Sequence, residues 1–108
     1  MRVTHLTKHF VERWENGDGD PSRRIQITLD IENVNNLLEE SLRVQRQRTI
    51  YLRENGRYVP YVQLAAYWHP GFHLLMKIDV ERRVAVTVVN RRQFEQQRYS
   101  DDKVGGTD

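Results

Sequence analysis

Two concentrations of side chains in this 108-residue chain could do chemistry, and the first is histidine: His5 with His9, and His69 with His73, each pair four residues apart. On a helix that spacing puts two imidazoles on one face, as in a zinc chelate. Pro70 and Gly71 break any helix between the second pair, and no carboxylate or thiolate is spaced to complete a site around the first. The pattern therefore predicts no metal centre, only half-exposed histidines beside an apolar stripe. The second concentration is basic. Arg43, Arg46, Arg48, Arg53 and Arg57 fall within fifteen positions, opposed only by Glu54, and Tyr51, Tyr58, Tyr61, Tyr67 and Trp68 lie in the same stretch. Aromatics among arginines compose a surface on which unpaired bases stack; they equally compose a charged edge strand that resists aggregation. Lys77, set in an apolar run, must reach solvent, a carboxylate such as Asp79, or a cleft. Thr87 reads either as a β-branched strand residue or as a reacting hydroxyl.

The elements that must position these groups are legible from periodicity. Leu6, Phe10 and Trp14 recur at i, i+4 and i+8 in a first helix over Thr4–Asn16, with His5, His9 and Arg13 as a second stripe beside them. Gly17 to Pro21 then forms a loop, and Ile25, Ile27, Leu29 and Ile31 alternate like a short extended piece. Ile31, Val34, Leu38 and Leu42 carry a second helix. Val44–Glu54 and Arg57–Trp68 are strands joined at Asn55-Gly56, with Pro60 placing that pair at an edge. Leu74–Asn90 is a buried central hairpin, whose second strand puts Val84, Val86 and Val88 on one side and Ala85, Thr87 and Val89 on the other. A short helix over Arg91–Tyr99, anchored by Phe94, ends a single domain at residue 99, and Ser100–Asp108 is expected as a disordered tail. The fold class is α+β: two N-terminal helices on a mainly antiparallel four-stranded sheet, with a short C-terminal helix.

Composition bounds the function. There is no cysteine, which excludes disulfides and thiolate metal sites and fits a reducing compartment. No apolar run approaches the roughly 18 residues of a membrane span, and MRVTHLTKHF lacks the apolar block of a signal peptide, so a cytoplasmic protein without membrane partners is expected. Net charge is +2, yet only three of the 17 cations are lysine. The arginine fork suits phosphate and base edges, although arginine excess also follows from genome composition.

The segment Lys8-His9-Phe10-Val11-Glu12-Arg13 resembles the "K-H-apolar-x-x-R" helix that opens many small RelE-like and BrnT-like proteins. A second helix, a hairpin and a last strand of the form Val86-Thr87-Val88-Val89-Asn90 are similar too, and Asn90-Arg91-Arg92 with Glu95 and Tyr99 looks like a BrnT ending. The resemblance implies a ribonuclease toxin, needing neither metal nor cofactor, held inactive by a cognate antitoxin. Its candidate catalytic residues are His9, Arg13, Thr87 and Arg91. Arg43, Arg46, Arg48, Arg53 and Tyr51 are candidates for RNA binding from charge and aromatic content alone. The Gly17-Asp18-Gly19-Asp20 loop and Trp68-His69-Pro70-Gly71 depart from the family pattern. An inactive RNA- or protein-binding relative and an unrelated small interaction protein are the alternatives.

Overall fold

The computed structural model describes residues 1–90. The expected C-terminal helix, its anchor Phe94, the tail and Arg91 lie outside the described residues. Within them the chain is α+β, with two helices, a five-stranded mixed sheet and a two-stranded antiparallel sheet.

Strand β1 is only His5–Leu6, and helix α1 follows at Lys8–Asn16. The helix was expected to begin at Thr4, because Leu6 continues the Phe10–Trp14 stripe. Thr7 is instead the N-cap: its backbone is extended and its Oγ1 accepts the Phe10 N–H at 3.0 Å. The same hydroxyl donates to the Val86 carbonyl at 2.7 Å, which fixes the helix start against the last strand. Phe10 and Trp14 are fully buried, as the stripe requires, with ring centroids 5.7 Å apart.

The Ile25–Leu29 alternation is correct in direction but forms no ladder. Trp14 holds it instead, donating its indole N–H to the Ile27 carbonyl at 2.7 Å while its own carbonyl accepts from Ile25 N–H. Helix α2 runs Ile31–Glu39 from the N-cap Asp30 and buries Val34, Leu37 and Leu38; Ile31 is exposed and Leu42 belongs to the next strand. Buried Asn35 clasps Val3 through both backbone groups, at 2.7 and 3.0 Å, and so ties the N-terminal segment to α2.

The expected edge hairpin is four strands, not two. Strands β2 (Leu42–Gln45) and β5 (Ala65–His69) belong to the main sheet, while β3 (Arg48–Glu54) and β4 (Arg57–Gln63) pair only with each other and form a two-stranded arm. Asn55 and Gly56 both have positive φ, as a tight hairpin turn demands. Gln47 fixes the root of the arm, accepting from Val80 N–H at 2.6 Å and donating to Asp79 at 3.1 Å. Pro60, paired with Tyr51, lies in a ribbon with no third strand among the described residues, consistent with its missing N–H.

Strands β6 (Leu74–Asp79) and β7 (Val84–Asn90) form the predicted central hairpin, and the main-sheet order is β1-β7-β6-β5-β2 with β1 parallel to β7. Leu74, Met76 and Ile78 join Phe10, Trp14, Val34, Leu37 and Leu38 in one core, so both helices cover the same face. The alternation expected in β7 fails at one point. Lys77 pairs with Thr87 but Ile78 pairs with Ala85, leaving Val86 as an extra, bulged residue. A bulge inverts parity, and Ala85 and Val88 both end in the core.

Candidate functional site

The C-terminal end of α1 and the end of β7 meet at a cavity of about 60 Å³ lined by Arg13, Gly17, Asp18, Arg23, Val88, Val89 and Asn90. Gly17 makes the meeting possible. It ends α1 at φ +62, and a Cβ there would meet the Arg23 and Arg24 backbone at 3.0 Å, so only glycine lets the loop fold back this closely. Asp20 then organises the turn over Pro21–Arg23. It accepts from Ser22 Oγ at 2.7 Å and Ser22 N–H at 3.0 Å, and these bonds, with Arg23 nearby, hold its carboxyl below the ordinary carboxylate range. The Gly17–Asp20 loop is thus the device that brings Arg23 to the same cavity as Arg13.

Arg13 is the hub. Its Nε–H donates to Nε2 of His9 at 3.0 Å, one helical turn back, and its Nη2 lies 3.3 Å from Asp18. An Nε2 that accepts leaves the proton of neutral His9 on Nδ1. His9 is exposed. Asn90 Oδ1 is shielded from solvent and has no hydrogen-bond partner among the described residues. The cavity is far smaller than the several hundred Å³ of a pocket that engulfs a small molecule. It suits a projecting group, such as one phosphate with its neighbouring hydroxyl.

Of the expected catalytic residues, His9 and Arg13 are brought together and Thr87 is not with them. Thr87 is the register partner of Lys77, and Lys77 lies between Met76 and Ile78, which point into the core. Thr87 therefore faces the side of the sheet opposite α1, because the bulge at Val86 has inverted its parity. Arg91 lies outside the described residues.

The basic residues of the hairpin belong to a different place. The cavity is at the Asn90 end of β7, whereas the arm leaves the sheet beyond Ile78, with Gln47 bonded to Asp79 and Val80. Strands of this length put roughly 20 Å between the two ends, so Arg48 and Arg53 cannot share a phosphate with Arg13. Arg43 pairs with Tyr67 on the helix side of the sheet, and Arg46 lies in the connection between β2 and β3. Arg48 and Arg53 project from opposite faces of the arm, Tyr51 sharing the face of Arg53.

The other histidines are accounted for locally. His5 sits in β1 rather than on the helix with His9, so the four-residue spacing makes no chelate; its Nδ1 contacts Thr4 Oγ1. Buried His69 bonds Glu40 at 2.7 Å and accepts the Phe72 N–H at 3.0 Å, closing the Pro70-Gly71 turn. His73 packs its ring 5.5 Å from that of Trp68. Among the described residues no three His, Cys, Asp or Glu side chains gather as a metal site would need, and no helix is long and apolar enough to cross a membrane.

Asp18, Arg23 and Asn90 were not legible as site residues. Two glycines after a helix signal a reversal, but nothing in the sequence says what the reversal carries back. A scan against protein-family models and searches of curated proteins and of solved structures give no match for this chain.

Proposed function

We propose that this protein is a ribonuclease of the RelE-like and BrnT-like kind, acting on single-stranded RNA without a metal and held in check by a protein antitoxin. The observation that carries the reading is the His9–Arg13 pair: Arg13 lines the cavity together with a second arginine, Arg23, and His9, one helical turn back and outside the lining, accepts from Arg13 at 3.0 Å. Attack of a ribose 2′-hydroxyl on the adjacent phosphorus needs those parts: a base for the hydroxyl proton and positive charge for the phosphoryl oxygens. A phosphate entering the cavity draws Arg13 onto its non-bridging oxygens and frees His9 Nε2 to take the 2′ proton. The new O2′–P bond replaces the P–O5′ bond, and the 5′ oxygen leaves with a proton from water.

A second reading, an RNA-binding relative that does not cut, is favoured by one observation. Among the described residues no hydroxyl or cation of β6 or β7 faces the cavity, Thr87 being on the other side of the sheet. Induction of the chain alone in a bacterial host separates the two. The ribonuclease reading expects growth arrest that His9→Ala relieves at equal protein level; unimpaired growth with soluble, folded protein supports the binding relative.

A further inference from the structure

The β3–β4 arm places Thr49, Tyr51 and Arg53 on one face together with Tyr58, Pro60 and Val62, through the register pairs Thr49–Val62, Tyr51–Pro60 and Arg53–Tyr58. Tyr51 and Tyr58 are 65% and 70% exposed, far more open than a tyrosine packed for stability. They are diagonal neighbours, and side chains so related on an antiparallel ribbon lie roughly 7–8 Å apart, about the gap that one base fills between two rings. Charge selects the occupant. Arg53 on this face, and Arg46 at the root of the arm, have no carboxylate partner among the described residues, whereas Arg57 stands across from Glu54 on the opposite face, where that one acid of the arm is engaged by the Tyr61 hydroxyl. A ribbon with paired open tyrosines and an uncompensated arginine beside them is complementary to a polyanion with unpaired aromatic bases.

We infer that the Tyr51–Arg53–Tyr58 face of the arm is a base-stacking platform for single-stranded RNA, separate from the His9–Arg13 cavity and indifferent to sequence. The inference rests on the reading of the protein as RNA-directed, but it asks nothing of His9. Stacking uses the π face that every base has, whereas the arm offers no fixed donor and acceptor pair to read base edges. The platform thus holds the strand at the end of the sheet remote from the cavity.

The test uses the full chain and a labelled 16-nucleotide single-stranded RNA with 2′-O-methyl groups, which cannot be cleaved by 2′ attack, so that binding is read apart from catalysis. Affinity is measured by fluorescence anisotropy across a salt series. Tyr51→Ala with Tyr58→Ala should weaken binding at least about tenfold, with the salt slope unchanged, while Tyr51→Phe with Tyr58→Phe should bind like the unsubstituted chain. Arg46→Ala with Arg53→Ala should flatten the slope, and the annealed duplex should bind more weakly than the single strand. The proposal is overturned if the alanine pair binds as tightly as the unsubstituted chain, or if the unsubstituted chain does not bind the strand at 50 mM salt. It is equally overturned if replacing the tyrosines changes the oligomeric state instead of RNA affinity, which would make the arm a protein interface. Both tyrosines are exposed, so unchanged thermal melting serves as the folding control.

Discussion

The Nε–H of Arg13 donates to Nε2 of His9 across one turn of α1, at 3.0 Å, and the same guanidinium reaches Asp18 at 3.3 Å on the other side. Arg13 is thus shared between a neutral acceptor and a carboxylate. The carboxylate is about half exposed, and an exposed ion pair contributes on the order of 0–1 kcal/mol, so an incoming phosphate displaces it at little cost.

From that sharing comes a prediction about Asp18. Asp18→Asn removes the competing charge while leaving the loop, so affinity for inorganic phosphate or a short RNA should rise about two- to fivefold, as loss of a sub-kcal/mol competitor implies. Isothermal titration against the unsubstituted chain reads this. Weaker binding by Asp18→Asn would mean that the carboxylate orients Arg13 rather than competing for it.

Trp14 joins α1 to the segment that carries Arg23 and Arg24 into place, through ring burial and the indole bond to Ile27. Trp14→Ala should cost about 3–5 kcal/mol of unfolding free energy, measured by urea denaturation. A loss below about 1 kcal/mol would contradict the packing described here.

Asp79 anchors the root of the arm. Its carboxyl is held below its ordinary value of 3.8 by the bond from the Gln47 amide, and further by the Arg82 backbone N–H and guanidinium, against an opposing effect of burial. A lowered folded pKa contributes stability that is fully present above the unfolded value and is lost as pH falls through the folded one. Melting temperature should therefore drop below about pH 4 more steeply for the unsubstituted chain than for Asp79→Asn. Parallel curves for the two from pH 6 to pH 2.5 would show that this carboxylate carries no linkage.

How much of this was readable from sequence depends on the range of the interaction. Phe10 and Trp14, the α2 face from Val34 to Leu38, the Asn55-Gly56 turn and the central hairpin follow from local periodicity and turn chemistry, and the fold bears them out. Local periodicity failed at Ile31 and Leu42, which are exposed; the other failures were non-local. A two-residue strand such as His5–Leu6 has no period of its own and exists because β7 pairs with it. The split of one long hairpin into sheet and arm is fixed by Gln45 bonding the Leu64 carbonyl and by Gln47 bonding residues about thirty positions away. The bulge at Val86 moved Thr87 to the far face, and no residue type marks it: Thr7, almost eighty positions upstream, takes the Val86 carbonyl. Placement followed the same rule. That His9 and Arg13 lie side by side follows from their spacing on one helix, whereas Arg23 reaches Arg13's cavity through the Gly17 reversal and Asn90 through the packing of β7.

On the proposed function, His9 and Arg13 form a site that opens RNA through its own 2′-hydroxyl. The most direct measurement incubates purified full-length protein with an end-labelled single-stranded RNA, with and without a chelator, and identifies the new ends. The expected ends are 2′,3′-cyclic phosphates that form equally with chelator present, fall at least about a hundredfold with His9→Ala, consistent with loss of a general base, and are absent from a 2′-O-methyl strand. Intact RNA after incubation with folded protein, or cleavage that His9→Ala leaves undiminished, would rule out the ribonuclease.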